Sequence, residues 1–418
     1  MTEIPGPRSR ALSARLAAVE SRNVTRLDEP PPIFWERAAR ANVWDVDGNR
    51  YVDLTAAFGV ANAGHGHPRV VSAVAQQAES LLHGMGDVHP SRIKVELLEA
   101  LVRHFPGGGP ARAILSCSGS DAVESALKTV ALATGRSGVV AFEGAYHGLA
   151  LGALDTAWRS DFRDPFRARL PGATVFAGYG DLEDVHRAAA RAPVAIGAIL
   201  VEPIQGRGGE RVPPEGFLSG LRALCDRQGW LLIADEIYTG FGRTGRWFAC
   251  EHEGVVPDLL CAGKGLASGM PISACLGRAE VMDAWPASTG EALHTQTFLG
   301  HPPGCAAALA CMEAIASEKL VEKAARDGEL ALSQLRRRLA GCRSVVEVRG
   351  RGLMIGIECD RPGRALGTCR EALRQGIILL PGGSDGRVLS LTPALSIERE
   401  ILATALDRVA DLLESSES

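Results

Sequence analysis

Two short apolar runs in the middle of the chain each end on a residue able to do chemistry. Trp230 to Ala234 is followed by Asp235-Glu236-Ile237, and Leu259 to Ala262 by Gly263-Lys264-Gly265. Runs this short and this apolar read as parallel strands buried on both faces, and ligands of α/β sheets collect at the carboxyl ends of such strands. An amine and a carboxylate brought to one sheet edge could serve pyridoxal phosphate. That cofactor needs a lysine to hold its aldehyde as a Schiff base, a carboxylate against its pyridine nitrogen, and a phosphate cradle. The carboxylate keeps the ring protonated, so the ring draws in electrons released when a bond at the substrate carbon breaks. Glycines on both sides of Lys264 let the backbone turn sharply there. A lone lysine in a glycine turn is most often solvated, so the pair needs support from the rest of the chain.

That support is distributed along the sequence. Cys117-Ser118-Gly119-Ser120-Asp121 separates an apolar run at 113–115 from the helix formers Ala122 to Ala133. Small residues with free N–H groups at a helix N-terminus suit a phosphate, although helix capping explains Ser120 and Asp121 almost as well. Tyr146-His147-Gly148 follows the run at 139–142 and could lay a ring flat over the cofactor, or be ordinary core. Glu202-Pro203-Ile204-Gln205-Gly206 brings a second carboxylate to the end of a run, and Thr295 to Pro302 offers hydroxyls in a loop before a helix. Gly350-Arg351-Gly352 with Gly356 has the glycines of a dinucleotide fingerprint, but Leu353 to Ile357 reads as strand where that motif needs a helix. His65-Gly66-His67 lacks a suitably spaced third metal ligand and reads as a turn.

The elements that must position these residues follow from length and pattern. With 418 residues the chain is long enough for two or three structural units. A net charge of −4 carries no sign of a nucleic-acid or membrane surface, and no apolar run is long enough to span a bilayer. The ten cysteines are scattered without a C-x-x-C pair, several in apolar runs; they read as reduced core thiols, which favours a cytoplasmic protein. Met1 to Arg26 lacks the apolar core of a signal peptide. A helical stretch from Ala11 to Val19 precedes Pro30-Pro31-Pro32, and Asn42 to Leu54 reads as a hairpin turning at Asp47-Gly48. From about 66 to 305 strands and helices alternate, which predicts a mostly parallel sheet between helices. The remainder, with strands near 345–348 and 353–357 and a last helix to Glu414, reads as a smaller α+β unit.

Taken in order, Ser118-Gly119-Ser120, Tyr146-His147-Gly148, Glu202 to Gly206, Asp235-Glu236-Ile237, Gly242-Arg243-Thr244-Gly245, Gly263-Lys264 and Thr297-Phe298 resemble class III aminotransferases. The resemblance spans about residues 30 to 410. It implies an α/β protein of fold type I: a large cofactor-binding domain at 61–305, with 1–60 and 306–418 building the small one. It implies Lys264 as the Schiff-base lysine, Asp235 on the pyridine nitrogen, and Ser118, Gly119 and Ser120 around the phosphate. Tyr146 would cover one ring face and Ile237 the other, with His147, Glu202 and Tyr238 also against the cofactor. It further implies a homodimer in which Thr297 reaches the phosphate of the neighbouring active site.

The expected activity is transfer of an amino group from a primary amine, diamine or ω-amino acid to an oxo acid of the pyruvate or 2-oxoglutarate class. An epimerase, aminomutase or decarboxylase on the same scaffold is the alternative. The chain departs from gamma-aminobutyrate and ornithine aminotransferases at four positions they use for substrate or cofactor. Their arginine after the glycine of the tyrosine motif is Leu149, their glutamate after Gln205-Gly206 is Arg207, and the arginine paired with it is matched by Ser390. Their glutamine after the Asp-Glu pair is Tyr238. Losing both members of an ion pair avoids stranding one buried charge. Phe58, Leu149 and Arg207 are the candidate substrate contacts, with Arg207 either a new anion receptor or a solvated loop arginine.

Overall fold

The computed structural model describes residues 3–27 and 30–415; the outermost domain bounds, 1 and 418, lie outside them. The helix Pro7–Val19 starts earlier than its apolar pattern, because proline suits a first helical turn. Strands β1 (Trp35–Ala39), β2 (Asn42–Asp45) and β3 (Arg50–Asp53) follow, and β2 and β3 form the expected antiparallel hairpin.

Seven strands make the central sheet: β4 (Ala111–Ser116), β5 (Gly138–Phe142), β6 (Thr174–Ala177), β7 (Ile196–Val201), β8 (Leu231–Asp235), β9 (Leu259–Ala262) and β10 (Ser273–Arg278). Their spatial order is β4-β10-β9-β8-β7-β5-β6, and β10 alone runs antiparallel to its neighbours. Every residue of β5, β7 and β9 is buried, as continuous apolar runs require of strands covered on both faces. The sheet was legible from those runs, except for β6, whose Thr174-Val175-Phe176-Ala177 is only partly buried.

Beyond β10, the helix Pro302–Ser317 packs against the helices Pro68–Ser80 and Arg92–Arg103. It is buried on nearly every side, and the expected boundary at 305/306 falls inside its first turn. After Leu320–Arg338 come β11 (Val345–Arg351), β12 (Met354–Cys359), the helix Arg364–Arg374, β13 (Ile377–Ile378), β14 (Leu380–Gly382), β15 (Val388–Leu391) and the helix Arg399–Ser415. A second sheet, β11-β12-β15-β14, is antiparallel throughout, and β13 joins the N-terminal strands by pairing parallel with β3. The two chain ends are thereby knitted together. Gly352, at φ 57°, makes the tight turn between β11 and β12, while His65 and His67 are engaged by Asp53 (2.8 Å) and Glu318 (2.9 Å).

Candidate active site

Four adjacent strands, in the order β9, β8, β7, β5, end on Lys264, Asp235, Glu202 and the Tyr146-His147 turn. Sheet order, not sequence order, makes them neighbours. The direction of the chain reverses beside them, since β6 lies outward of β5 and β7 on its other side, and such switch points open a crevice at the strand ends.

Asp235 is buried, with Oδ2 2.7 Å from His147 Nδ1 and Oδ1 accepting from the N–H of Ile237 at 3.1 Å. Burial pushes the His147 imidazole down, but the hydrogen bond and charge of Asp235, with the charge of Glu202, outweigh it and raise the pKa. His147 Nε2 is buried and has no hydrogen-bond partner among the described residues. Glu202 accepts from the N–H groups of Tyr146 (3.2 Å) and Gly206 (3.3 Å). Burial pushes its carboxyl up to about 7. Lys264 sits at φ 39°, a left-handed conformation between two glycines. Burial pushes its amine down from the usual lysine range, opposed by Asp235 and Glu202. Its Nζ lies 4.1 Å from the centroid of the Tyr238 ring.

Tyr238 itself is wedged between glycines. A Cβ at Gly206 would come within 2.1 Å of the ring, and one at Gly59 within 2.4 Å. Its hydroxyl meets Thr392 Oγ1 at 3.1 Å. Gly59 carried no signal in the sequence and Gly206 stood out only as part of the Glu202 motif, because the ring they accommodate comes from a distant segment.

The small-residue loop after β4 opens the helix Gly119–Thr134, capped by Ser118 Oγ, which accepts from Asp121 N at 3.3 Å. Gly119 and Ser120 are its first two residues, whose N–H groups have no intrahelical acceptor. A Cβ at Gly119 would stand 2.9 Å from Ile237 Cδ1, so a side chain there would close the space beside Ile237. Ser273, at the start of the antiparallel β10, donates to the Ser118 carbonyl at 2.6 Å and ties this loop to the sheet edge. Ser120 Oγ accepts from Ala150 N at 2.9 Å, and Gly148 (φ 121°) packs so closely that a Cβ would lie 2.5 Å from that hydroxyl.

The expected substrate contacts are more dispersed. Arg207 is exposed, with its guanidinium 5.1 Å from the Tyr146 ring centroid and 5.7 Å from that of Phe162. The two rings stand edge to face at 5.9 Å. Phe58 is exposed on a left-handed turn, with φ of 44°, 51° and 65° at Ala56, Ala57 and Phe58. Buried Asp53 holds that turn by accepting from the N–H groups of Thr55 (2.8 Å) and Ala57 (3.1 Å). Such backbone costs about 1–3 kcal/mol per residue and clusters at functional sites. Leu149 is exposed. Thr297 is exposed on the loop before the helix at 302, and no hydrogen bond among the described residues links it to this site. Ser390 is not alone: its hydroxyl donates to buried Glu210 at 2.7 Å. Sequence reasoning passed over Glu210, although a carboxylate three residues after Arg207 was the available signal.

The family model "Aminotransferase class-III" matches residues 24–413. The 4-aminobutyrate aminotransferase of Mycobacterium leprae is 39% identical over 443 residues, covering 99% of this chain and 97% of the relative. The acetylornithine aminotransferase of Methanopyrus kandleri is 41% identical over 378 residues, covering 90% and 93%. Among solved structures, the ornithine aminotransferase of Toxoplasma gondii superposes with a TM-score of 0.88 at 31% identity, covering 98% of this chain and 96% of that one. The omega transaminase of Pseudomonas jessenii in complex with PMP gives 0.89 at 26% identity, covering 97% and 98%.

Proposed function

The chain belongs to the class III aminotransferase family, and on that premise we propose that pyridoxal phosphate binds at the ends of β9, β8, β7 and β5. There it would serve transfer of an amino group from a primary amine, diamine or ω-amino acid to an oxo acid such as pyruvate or 2-oxoglutarate. The observation that carries this reading is the placement of Lys264, Asp235, Glu202 and Tyr146 on four neighbouring strand ends. The residues fit the cofactor: a buried carboxylate, a desolvated amine, and a helix N-terminus kept open by Gly119. When bound, pyridoxal phosphate supplies an aldehyde and an electron sink.

Lys264 Nζ would be the amine that holds that aldehyde, and as a free amine it would be the base and acid that carries a proton to and from the substrate carbon. A desolvated amine of lowered pKa is suited to the work. Asp235 holds a proton at the ring nitrogen and is itself oriented by His147 and the Ile237 N–H. Tyr146 and Ile237 would confine the ring, and Ser118, Gly119 and Ser120 with the helix dipole would hold the phosphate. Tyr238 occupies the place of a glutamine in relatives and keeps Lys264 over its ring face. Thr297, exposed on the loop before the helix at 302, is proposed to complete the neighbour's phosphate site in a homodimer. The small domain is assigned to 1–60 and 306–418 and the cofactor domain to 61–305. Among the described residues no helix is long and apolar enough to cross a membrane, and ten unpaired cysteines support a cytoplasmic location.

Leu149 and Ser390 stand where gamma-aminobutyrate and ornithine aminotransferases carry their carboxylate-binding arginines, so 4-aminobutyrate and ornithine should be poor donors. Arg207 is proposed as the receptor for the oxo-acid carboxylate. A screen of amine donors against pyruvate and 2-oxoglutarate tests the activity. Consumption of one oxo acid per amine deaminated is expected. Product formation without any oxo-acid consumption would instead indicate an epimerase, aminomutase or decarboxylase.

A further inference from the structure

The loop after β7 carries two opposite charges three residues apart, and they have opposite surroundings. Arg207 lies exposed on aromatic rings at the mouth. Glu210 is 1% exposed, and its side chain is inserted against the sheet β12-β15-β14. Glycines make room for it: a Cβ at Gly356 would come within 3.0 Å of Glu210 Cβ, and one at Gly382 would stand 3.7 Å from Oε2. Oε1 accepts from Ser390 Oγ, whereas Oε2 is buried with no partner among the described residues. A buried carboxyl oxygen left unpaired is costly. Glu210 also holds a left-handed backbone at φ 47°, a second strain that packing alone does not require of this residue type.

Glu210 is linked to the Lys264 side of the site through Ser390 and its strand. Ser390 is followed two residues later by Thr392, whose hydroxyl meets that of Tyr238, and the Tyr238 ring faces Lys264. The charge of Glu210 is felt by Tyr238, and Glu210 in turn feels the charge of Glu202. Among the described residues no cation is dedicated to it. Arg349, whose charge reaches it, is engaged by Glu347, Glu358 and the Gly209 carbonyl. Burial accordingly pushes the Glu210 carboxyl up to about 8, with Ser390 and Arg349 opposing. A second ammonium would supply the missing partner and counter-charge, and a carboxylate in that position would be repelled.

We propose that Glu210, oriented by Ser390, is the receptor for the distal ammonium of a diamine donor, so that diaminoalkanes are preferred over alkylamines of equal length. This rests on the aminotransferase reading. The test compares 1,5-diaminopentane with pentylamine as donors to pyruvate, using holoenzyme, Glu210→Gln and Glu210→Leu, with melting curves to verify folding. Wild type should favour the diamine by at least about tenfold in kcat/KM, mostly through KM, and both variants should bring the ratio to within about threefold of one. A purely structural Glu210 would lower stability or both rates together and leave the ratio where it was, which would overturn the assignment. So would a wild-type ratio near one. Calorimetric binding of the two amines to holoenzyme gives the same comparison without turnover. Absence of oxo-acid-dependent turnover with every donor would sink the aminotransferase reading, while the binding ratio would still decide the role of Glu210.

Discussion

The floor of the site and its wall are built on different physical terms. The floor is made of residues at the ends of buried strands, held by hydrogen bonds and a ring contact: Asp235 with His147, Glu202 with Tyr146 N, Lys264 over Tyr238. The wall is drawn from exposed or strained loop positions, Phe58, Leu149 and Arg207, and from the Glu210–Ser390 pair on the C-terminal sheet. The contrast shows where this chain can vary. On the proposed function, a change in the floor would disturb a coupled set of buried charges, while a change in the wall would alter which substrate tail is tolerated and leave the reacting centre in place.

The sharpest test of that division is Lys264→Ala, which should reduce turnover by about a thousandfold or more, the scale of lost nucleophilic and acid–base roles. Borohydride treatment of wild-type holoenzyme should label Lys264, and labelling of another lysine would remove it from the floor. The same variant probes the subunit boundary. Mixed with Thr297→Ala subunits under exchange, it should regain activity, because one site of the mixed dimer would carry both defects and the other neither. Persistent inactivity despite proven exchange would confine Thr297 to its own chain.

Asp235→Asn should keep the fold and lower turnover by about a hundredfold, or about 2.7 kcal/mol in the barrier. An effect under about tenfold would mean that the ring nitrogen does not depend on this carboxylate. On the wall, Arg207→Ala should weaken oxo-acid acceptors by about 1.5–3 kcal/mol, the range for a hydrogen bond to a charged group, and barely affect simple aldehydes. Equal losses for both acceptor types would assign Arg207 to loop structure.

The smallest expected effect is on stability. The Glu210 carboxyl, at about 8 in the folded protein, lies above its unfolded value of about 4.3. The folded state therefore favours the neutral acid, and wild-type stability falls as pH rises between those two values. Glu210→Gln removes this penalty, so its stability relative to wild type should grow by about 1–2 kcal/mol from pH 5 to 8 and then level off. That figure is reduced from the full linkage because the loop can relax. A difference independent of pH, in melting curves of the two proteins, would show that Glu210 titrates normally.

The amino-acid sequence by itself determined the central sheet apart from β6, and the strand ends on which most of the floor stands. Apolar runs such as Ile196 to Val201 and Leu259 to Ala262 can be satisfied only as buried strands, and the residue that ends each run is a local property of the chain. The tertiary structure decided the rest. The neighbour order of β9, β8, β7 and β5, the seating of Tyr238 between Gly59 and Gly206, and the meeting of Glu210 with Ser390 all join segments far apart in sequence. Local propensity carries no information on such pairings. The strand order is set by the crossovers within the central sheet, and Glu210 meets Ser390 because the loop after β7 packs against the antiparallel C-terminal sheet, which places one buried carboxyl opposite one serine.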